Sequence, residues 1–505
     1  MKTLAAALAA ALLLCGGSLT AGAVVDIGAR LEPFVDAFLI ERLSGARLEL
    51  GTPRPAGVAL RFDRPWEVDA GYAAVLHDGG TYRLYYRGVR PDRGNAGRTD
   101  GSRAEVTCYA ESRDGVEWRK PDLGLYEVAG TRANNVLLAD APPFQHNFTP
   151  MIDERPGVPA PERYKALAGK LGPGAGVCAF VSSDAIHWRR LVDACVLTEA
   201  NYPLRTDPSS CPAFWSEIER CYVGYFRIWV DARRQPVAID AAVPKYRWIG
   251  RATSDDFVHW SKVVPMDPGA APLEHLYTSQ TPPYFRAPHI YIAFPRRFLP
   301  GQQVLSEEQV RSLGLEEPGN YRGLKLDTSD GVFMTSRGGT RYDRTFMEAF
   351  VRPGMDLRNW VSRANTAVLG VVPTGPGEMS LYVARHKGQP SHYIERLALR
   401  LDGFASVRAS YAGGEMLTRP LTFSGRRLVI NCSTSAAGSV RVEIQDLAGR
   451  AVAGRALAES IPIIGDEIDR VVARKGGSDL GALSGRPVRL RFVLKDADLY
   501  AIQFR

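Results

Sequence analysis

The sequence predicts an all-β protein, a five-bladed β-propeller followed by a C-terminal β-sandwich. Two observations lead to this prediction. Short runs of β-branched and aromatic residues alternate with Gly, Pro and Asp turns along most of the chain, as at residues 81–87, 221–228, 289–294 and 488–494, which is typical of strands. In addition, one turn motif recurs at a nearly constant spacing, which indicates repeated sheets of about four strands.

The repeated motif has the form Ser-x-Asp-x-x-x-Trp. It occupies residues 112–118, 182–188 and 254–260, and a fourth copy at 336–342 lacks the Asp and carries Tyr in place of Trp. Trp118, Trp188 and Trp260 are 70 and 72 residues apart, and Tyr342 follows after 82. Ser and Asp side chains can accept hydrogen bonds from the backbone amides of a turn while the aromatic ring packs beneath it. We therefore assign the motif a structural role.

The period also gives the domain boundaries. Five units of about 70 residues extend from about residue 56 to residue 401, and the fifth lacks the turn motif. We expect the propeller, with an N-terminal strand segment, over residues 24–402. We expect the β-sandwich over residues 403–505, where strand-like runs are separated by Gly-rich turns. One helix is predicted at 306–313, where Ser306 and Gln309 form a capping box.

The composition excludes several classes of protein. Of the 505 residues, 45% are hydrophobic and 23% charged, which describes a globular rather than a disordered chain. After the N-terminus no apolar run approaches the roughly 20 residues of a membrane span, so we predict none. The net charge of +8 is spread over 63 basic and 55 acidic residues, which argues against a nucleic-acid partner. No Cys/His cluster has zinc-ligand spacing, and we predict no metal and no other cofactor.

The N-terminus predicts export. Lys2 precedes an apolar stretch at residues 4–14 and then Ala21-Gly22-Ala23, the arrangement of a cleaved signal peptide. We therefore expect residues 1–23 to be removed and the mature protein to be secreted or periplasmic. Six cysteines remain, an even number that permits disulfides in an exported chain. Two pairings fit the predicted turns, Cys178 with Cys195 and Cys211 with Cys221.

The predicted architecture, with turns such as residues 252–260, resembles that of the invertase/levanase and arabinanase/xylosidase glycoside hydrolases and of their exported bacterial relatives. The resemblance extends over about residues 56–505. It implies a carbohydrate substrate and three carboxylates in a central funnel, one from the innermost strand of each of the first three blades: a nucleophile or base, a pKa-tuning Asp and a general-acid Glu. The Asn-Asp-Pro-Asn-type start and the Arg-Asp-Pro segment of those enzymes are absent here. The carboxylate assignment is therefore not carried over whole.

Candidate site residues lie where the predicted innermost strands begin, because these strand starts should meet at one funnel. From these positions we predict Glu67, Asp207 and Glu274 as catalytic residues, with Glu274 as general acid and Glu67 or Asp207 as its ionised partner. The predicted substrate-binding residues are Asp36, Arg87, His146, Asn147, His275, Arg296, Arg363, Asn365 and Glu378. Arg227, like Arg87 and Arg296, ends a predicted second strand and can orient an acidic or hydroxyl-rich ligand.

Three functions are compatible with these residues. The main hypothesis is a secreted glycoside hydrolase that acts on a poly- or oligosaccharide through two funnel carboxylates. The second is a carbohydrate-binding propeller without catalytic activity. The third is a lyase acting on an acidic glycan, with His146 as base and an arginine that neutralises a uronate. A pair of carboxyl groups in the funnel favours hydrolysis, and the absence of such a pair favours binding or lyase chemistry.

Overall fold

The structure is a computed structural model that describes residues 23–68, 70–90, 104–141, 145–172, 175–206, 208, 210–315 and 324–505. The predicted signal peptide up to residue 22 and the predicted site residue Asp207 lie outside these ranges. Within them the protein is nearly all-β, as the sequence predicts. The one α-helix of the described chain is α1 (Glu307–Ser312), which Ser306 and Gln309 cap reciprocally as predicted. No helix of these ranges is long and apolar enough to cross a membrane.

The strands follow one another with short connections. The strands before residue 200 are β1 (Val25–Gly28), β2 (Glu32–Pro33), β3 (Ile40–Ser44), β4 (Ala46–Leu50), β5 (Arg54–Arg61), β6 (Gly71–Asp78), β7 (Thr81–Val89), β8 (Glu105–Ser112), β9 (Trp118–Arg119), β10 (Val136–Leu138), β11 (Thr149–Ile152), β12 (Tyr164–Gly172), β13 (Ala175–Ser182) and β14 (Arg189–Arg190). Between residues 200 and 340 lie β15 (Ala213–Ser216), β16 (Cys221–Val230), β17 (Tyr246–Ser254), β18 (Val264–Pro265), β19 (His275–Tyr277), β20 (Pro283–Tyr284), β21 (Ala287–Ala293), β22 (Arg296–Leu299), β23 (Thr328–Gly331) and β24 (Met334–Ser336).

The last third of the chain contains the longest strands. These are β25 (Thr366–Gly375), β26 (Glu378–Arg385), β27 (Tyr393–Arg400), β28 (Ala405–Ala409), β29 (Gly414–Thr418), β30 (Leu421–Phe423), β31 (Leu428–Gln445), β32 (Asp466–Val471) and β33 (Arg489–Phe504). Short 3-10 helices occur at Ala160–Glu162, Glu199–Asn201, Leu324–Leu326, Leu357–Asn359, Leu457–Glu459 and Gly481–Leu483.

The sheets of the first 400 residues follow the predicted repeat closely. Strands β11–β14 and β15–β18 form two four-stranded antiparallel sheets in chain order. Strands β6–β10 and β25–β27 are linked into one nine-stranded sheet, in which β6 lies beside β25 and β5 from the start of the chain completes the outer edge beside β27. Inner strands β6 and β25 touch at Ala74 and Leu369, so the first and last units are neighbours.

The fourth unit differs from the prediction of one four-stranded sheet. It contains two three-stranded sheets, β20–β21–β24 and β19–β22–β23. Pro295 separates β21 from β22, and a proline has no backbone N–H to continue the ladder. The chain therefore leaves one sheet and enters the other at this residue.

The turn motif has the structural role that the sequence predicts. The hydroxyl of Ser112 accepts hydrogen bonds from the amides of Asp114 (3.2 Å) and Gly115 (2.9 Å), and Asp114 Oδ1 accepts two more from the following amides. The copies at 182–188 and 254–260 repeat the bonds made by the Asp side chain. Gly115, Ala185 and Phe257, at the same place in each copy, have φ angles of 73°, 69° and 69°.

Neighbouring sheets are joined by one recurring contact. The hydroxyl of Tyr85 on β7 donates to the carbonyl of Ala185 in the next sheet's turn, and its ring packs on Trp188. Tyr382 on β26 makes the same contacts with the Gly115 carbonyl and with Trp118. This second pair joins the last unit to the first.

A second core lies beneath the C-terminal strands. β33 pairs with β31, β28 and β29 in one large sheet. The first strands of the chain belong to this sheet, because β2 pairs with β33, β3 with β29 and β4 with β28, while β1 pairs with β30. The predicted boundary at 402/403 therefore separates strands that pair with each other. Ile27, Phe34 and Leu39 share one apolar core with residues of these C-terminal strands.

Of the two predicted cysteine pairings, the structure contains one. Cys178 and Cys195 form a disulfide. Cys211 and Cys221 do not, because β15 and β16 pair Cys221 with Ser216 and leave Cys211 outside the hairpin.

Glu32 connects the N-terminal segment to the fourth unit. Its buried carboxylate accepts hydrogen bonds from Arg30 (2.6 Å), His289 on β21 (3.1 Å) and Arg337 just after β24 (3.0 Å). Burial by itself would raise the pKa of Glu32, but the hydrogen bond from His289 and the charge of Arg337 outweigh it and lower the pKa to about 2. The fold therefore favours the ionised carboxylate.

We predict that Glu32→Gln lowers the free energy of unfolding at pH 7 by about 2 kcal/mol, because the buried acceptor of three hydrogen bonds loses its negative charge and Arg337 keeps only Asp36 as an anionic partner. The folded-state pKa lies below the ordinary value of 4.5, so this contribution is complete above about pH 4.5 and is lost as the pH falls toward 2. Denaturant unfolding of both proteins between pH 7 and pH 3 should show the difference narrowing below pH 4.5. A constant difference would contradict this account. The exposed pair Glu467–Arg470 provides a control, Glu467→Gln, that should be nearly neutral.

Candidate functional site

A pocket opens where the inner strands begin. It has a volume of about 200 Å³ and is lined by residues at the starts of β6 and β25, by residues 146–147 before β11, by Pro208 and by Tyr277 at the end of β19. The pocket thus brings together residues from distant parts of the chain, between Phe62 and Ile394.

The pocket wall is strongly basic. Its cationic side chains are Arg87, Arg227, Arg296, Arg363 and Lys387, and no described lining residue is an Asp or a Glu. Burial, with repulsion from Arg227, Arg296 and Arg363, lowers the pKa of the neighbouring Arg247 to about 10. A buried concentration of positive charge of this kind favours an anionic ligand.

Two phenols lie between the arginines. The hydroxyls of Tyr72 and Tyr277 form a hydrogen bond with each other. The guanidinium of Arg87 stands 4.4 Å from the ring centre of Tyr72, and that of Arg296 stands 4.4 Å from the ring centre of Tyr277, so each ring carries a cation–π contact. Burial and the Tyr277 hydroxyl raise the pKa of Tyr72 to about 12, although the nearby arginines act in the opposite direction. The Tyr72 phenol is therefore neutral near pH 7.

His146 belongs to the same wall and is itself buried. Its Nδ1 lies 2.7 Å from the carboxylate of Glu105, and its Nε2 lies 3.0 Å from the side-chain amide of Asn147. Asn147 also accepts a hydrogen bond of 2.9 Å from Arg87. An imidazole flanked by a carboxylate is the usual setting of a general base.

The structure places five of the predicted substrate-binding residues in the pocket wall: Arg87, His146, Asn147, Arg296 and Arg363. Asn365 lies just behind it, fully buried, where it donates to the carbonyls of Ser329 and Asn359 and accepts from Arg385. It therefore supports the wall by holding the segment before β25.

Glu67 does not line the pocket. Its Oε2 accepts from the amides of Asp63 and Arg64 (2.9 Å each) and from Lys120 (2.6 Å), and its Oε1 accepts from the hydroxyl of Tyr86 (2.5 Å). With four donors on one buried carboxylate, Glu67 ties the loop before β6 to the first sheet.

Glu274 and His275 also lie outside the wall. The Glu274 carboxylate accepts from Arg297 (3.0 Å) and Arg344 (3.2 Å). His275 Nδ1 accepts from the amide of Arg247, and burial together with the charge of Arg247 lowers the pKa of His275 to about 4. The reason is that the fourth unit is divided into two sheets. His275 begins β19, in the sheet of β19, β22 and β23, and Glu274 directly precedes it. Tyr277, at the other end of β19, lines the pocket instead.

Asp36 and Glu378 are distant from the pocket. Asp36 pairs with Arg337 (3.1 Å) beside Glu32 and joins the N-terminal segment to the fourth unit. Glu378 begins β26 at the hairpin end of β25, opposite the end that lines the pocket, and pairs with Arg396 (2.8 Å). Asp207 lies outside the described residues, although the next residue, Pro208, lines the pocket.

Tyr72, Tyr277 and Lys387 line the pocket but are not among the residues predicted for the site. Tyr72 lies at the start of a predicted inner strand, where an aromatic residue is typical of the strand itself. The backbone of Tyr72 gives a signal that only the structure contains, a left-handed φ of 48°. Lys387 follows β26, and its ammonium donates to the carbonyl of Ala70.

The described residues contain no group of three or more His, Cys, Asp or Glu side chains that could hold a metal ion. No family model matches the chain, and no curated protein matches it in sequence.

Several solved structures are similar in fold. A glycoside hydrolase matches with 12% identity over 69% of this chain and 92% of its own (TM-score 0.46). A family 43 arabinoxylan arabinofuranohydrolase from Bacillus subtilis matches with 12% identity over 87% and 96% (TM-score 0.41). An N-acetylgalactosamine deacetylase from F. plautii matches with 13% identity over 71% and 96% (TM-score 0.43).

We predict that Glu274→Gln acts on stability and not on the pocket. The change removes the anionic partner of Arg344 and one of the two partners of Arg297, which keeps Asp330, and it should cost about 2 kcal/mol in denaturant unfolding. Ligand affinity and any turnover at the pocket should stay within about twofold of the parent. A variant of parental stability that had lost turnover would instead support the general-acid assignment made from the sequence.

Proposed function

We propose that the sheets of residues 56–401 are five blades of a propeller and that the C-terminal strands form a β-sandwich, exported after removal of residues 1–23. Two observations support the blade count: the recurring tyrosine–turn contact and the pairing of β5 with β27, which joins the N-terminal strand to the last unit. The sandwich includes β1–β4 as well as residues 403–505.

We propose that the central pocket binds and cleaves an acidic glycan. The observation that carries this proposal is the wall itself, in which five cationic side chains from distant parts of the chain line one small pocket beside two phenols. A uronate carboxylate would complement this charge through charge-assisted hydrogen bonds. The carbohydrate class comes from the resemblance of the turn motif and architecture to the propeller glycoside hydrolases.

The wall chemistry suits β-elimination. The arginines beside the phenols, Arg296 and Arg363, would neutralise the uronate carboxylate and stabilise the negative charge that develops on the sugar. His146 would take the proton from the carbon next to the carboxylate. The electron pair of that C–H bond becomes a carbon–carbon double bond as the glycosidic C–O bond breaks. The Tyr72–Tyr277 pair would donate a proton to the leaving oxygen.

Hydrolysis by two carboxylates is the second candidate, and one observation favours it: Pro208 lines the pocket next to Asp207. Glu67 and Glu274, the other predicted carboxylates, are held in ion pairs outside the described wall. The elimination mechanism needs neither of them.

Product analysis separates these possibilities. Purified protein should be incubated with polygalacturonate, alginate, glucuronan and hyaluronan and, as neutral counterparts, with arabinan and levan. We expect an acidic polymer to yield unsaturated uronate ends, which absorb in the ultraviolet. New reducing ends without unsaturation would establish hydrolysis, and binding without new ends would establish a binding module. Cleavage confined to neutral polymers would contradict the proposal.

Two adjacent arginines provide a matched test of the pocket. Arg296 lines the pocket, whereas Arg297 pairs with Glu274 and Asp330 outside it. We predict that Arg296→Ala weakens the binding of an acidic oligosaccharide at least about tenfold, the loss expected for a charge-assisted hydrogen bond. Arg297→Ala should lower stability and leave affinity within about twofold. Equal losses of affinity, measured by calorimetry on folded protein, would place the ligand elsewhere.

A further inference from the structure

We propose that Glu105 is a positioning residue for the pocket, which keeps Nε2 of His146 as a hydrogen-bond acceptor and holds Arg87 and Asn147 in the wall. The inference rests on the proposed function for its catalytic part. It adds a residue that does not line the pocket: Glu105 begins β8 and is fully buried.

The side chains of Glu105, His146, Asn147 and Arg87 form a closed ring. Glu105 Oε2 contacts His146 Nδ1 (2.7 Å), and His146 Nε2 contacts Asn147 Nδ2 (3.0 Å). Asn147 Oδ1 contacts Arg87 Nη1 (2.9 Å), and Arg87 Nε lies 3.9 Å from the other oxygen of Glu105. Each member therefore has a partner on both sides.

The chemistry of arginine fixes the direction of every bond in the ring. A guanidinium can only donate, so Asn147 must accept through Oδ1 and present its NH2 group to His146. Nε2 of His146 must then accept, and its single ring proton must reside on Nδ1 and point to Glu105. The buried carboxyl oxygen of Glu105 accepts this proton and ends the chain of hydrogen bonds. The ring consequently selects one tautomer of His146.

That tautomer is the one a base at this position requires. With the proton on Nδ1, the lone pair of Nε2 faces the side of His146 occupied by Asn147, a residue of the pocket wall. A ligand carboxylate that took over the Asn147 amide would uncover Nε2. After proton uptake the imidazolium would be stabilised by the adjacent Glu105 carboxylate, as in other carboxylate–histidine pairs.

The burial of Glu105 supports this role. No hydrogen-bond donor among the described residues reaches Oε1 of Glu105, so half of a fully buried carboxylate faces only the more distant Arg87. A carboxylate in such surroundings is costly to bury for structural purposes alone. A positive charge that appears on His146 during reaction would offset this cost.

A ligand-free measurement tests the ring independently of any substrate. Full-length protein with 15N-labelled histidine should show, for His146, a protonated Nδ1 and an unprotonated Nε2, the signals being assigned by their loss in His146→Gln. We expect Glu105→Ala to abolish this fixed pattern. Glu111→Ala, on the same strand but bonded to Tyr109, is the matched control and should leave it unchanged. Identical His146 signals in Glu105→Ala and the parent would overturn the proposal.

A kinetic measurement tests the positioning of the base. Glu105→Gln keeps the shape and an acceptor oxygen, so the tautomer should persist while the negative charge is lost. On polygalacturonate, or on whichever acidic polymer of the panel is cleaved, we expect kcat to fall at least about tenfold with KM within about threefold. An unchanged kcat would overturn the role in catalysis. If no polymer is cleaved but the histidine pattern depends on Glu105, the proposed function fails and the positioning of His146 stands.

Discussion

The contact between a tyrosine on one sheet and the turn of the next determines the arrangement of the molecule. Tyr85 and Tyr382 each place a hydroxyl on a turn carbonyl and a ring on the motif tryptophan. The turn carbonyl is available because the Ser and Asp side chains satisfy the amides of the same turn. The last sheet makes this contact with the first, and their inner strands β25 and β6 pair at Leu369 and Ala74, so the two ends of the repeat are neighbours.

The pocket collects positive charge from several units of the repeat. Strands from distant parts of the chain begin near the pocket. Four of the repeated units contribute an arginine or a lysine to its wall. Arg87 and Arg296 are accommodated by lying against the faces of Tyr72 and Tyr277, which attract a cation without neutralising it. Arg87 also lies 3.9 Å from the carboxylate of Glu105, so this guanidinium is held by an aromatic face and by a buried carboxylate together.

Local features of the fold could be predicted from the sequence, and features that depend on register could not. The turn motif and the capping box at Ser306 involve only neighbouring residues, so their spacing determines their structure. The predictions for Glu67 and Glu274 rest on their positions just before predicted inner strands. A carboxylate at such a position can point to either side of the strand. Donors from distant segments decided the outcome: Lys120 for Glu67, and Arg344 for Glu274. Arg87 could be predicted because it lies in the second strand of the first unit, whose direction the repeat defines. Arg296 lines the pocket as predicted, although it begins β22 of the divided fourth unit and does not end the second strand.

The backbone at the pocket gives independent support for a functional site. Tyr72, Asn147 and Arg363 line it with φ angles of 48°, 53° and 67°, a region that costs a residue with a side chain about 1 kcal/mol. All three directly precede or begin the innermost part of their unit, so the same strained conformation recurs at equivalent places. A glycine at these positions would remove the strain but also the phenol, the amide and the guanidinium. In an extended strand, successive side chains alternate between the two faces of the sheet. The left-handed residues interrupt that alternation at the strand starts, where their side chains line the pocket.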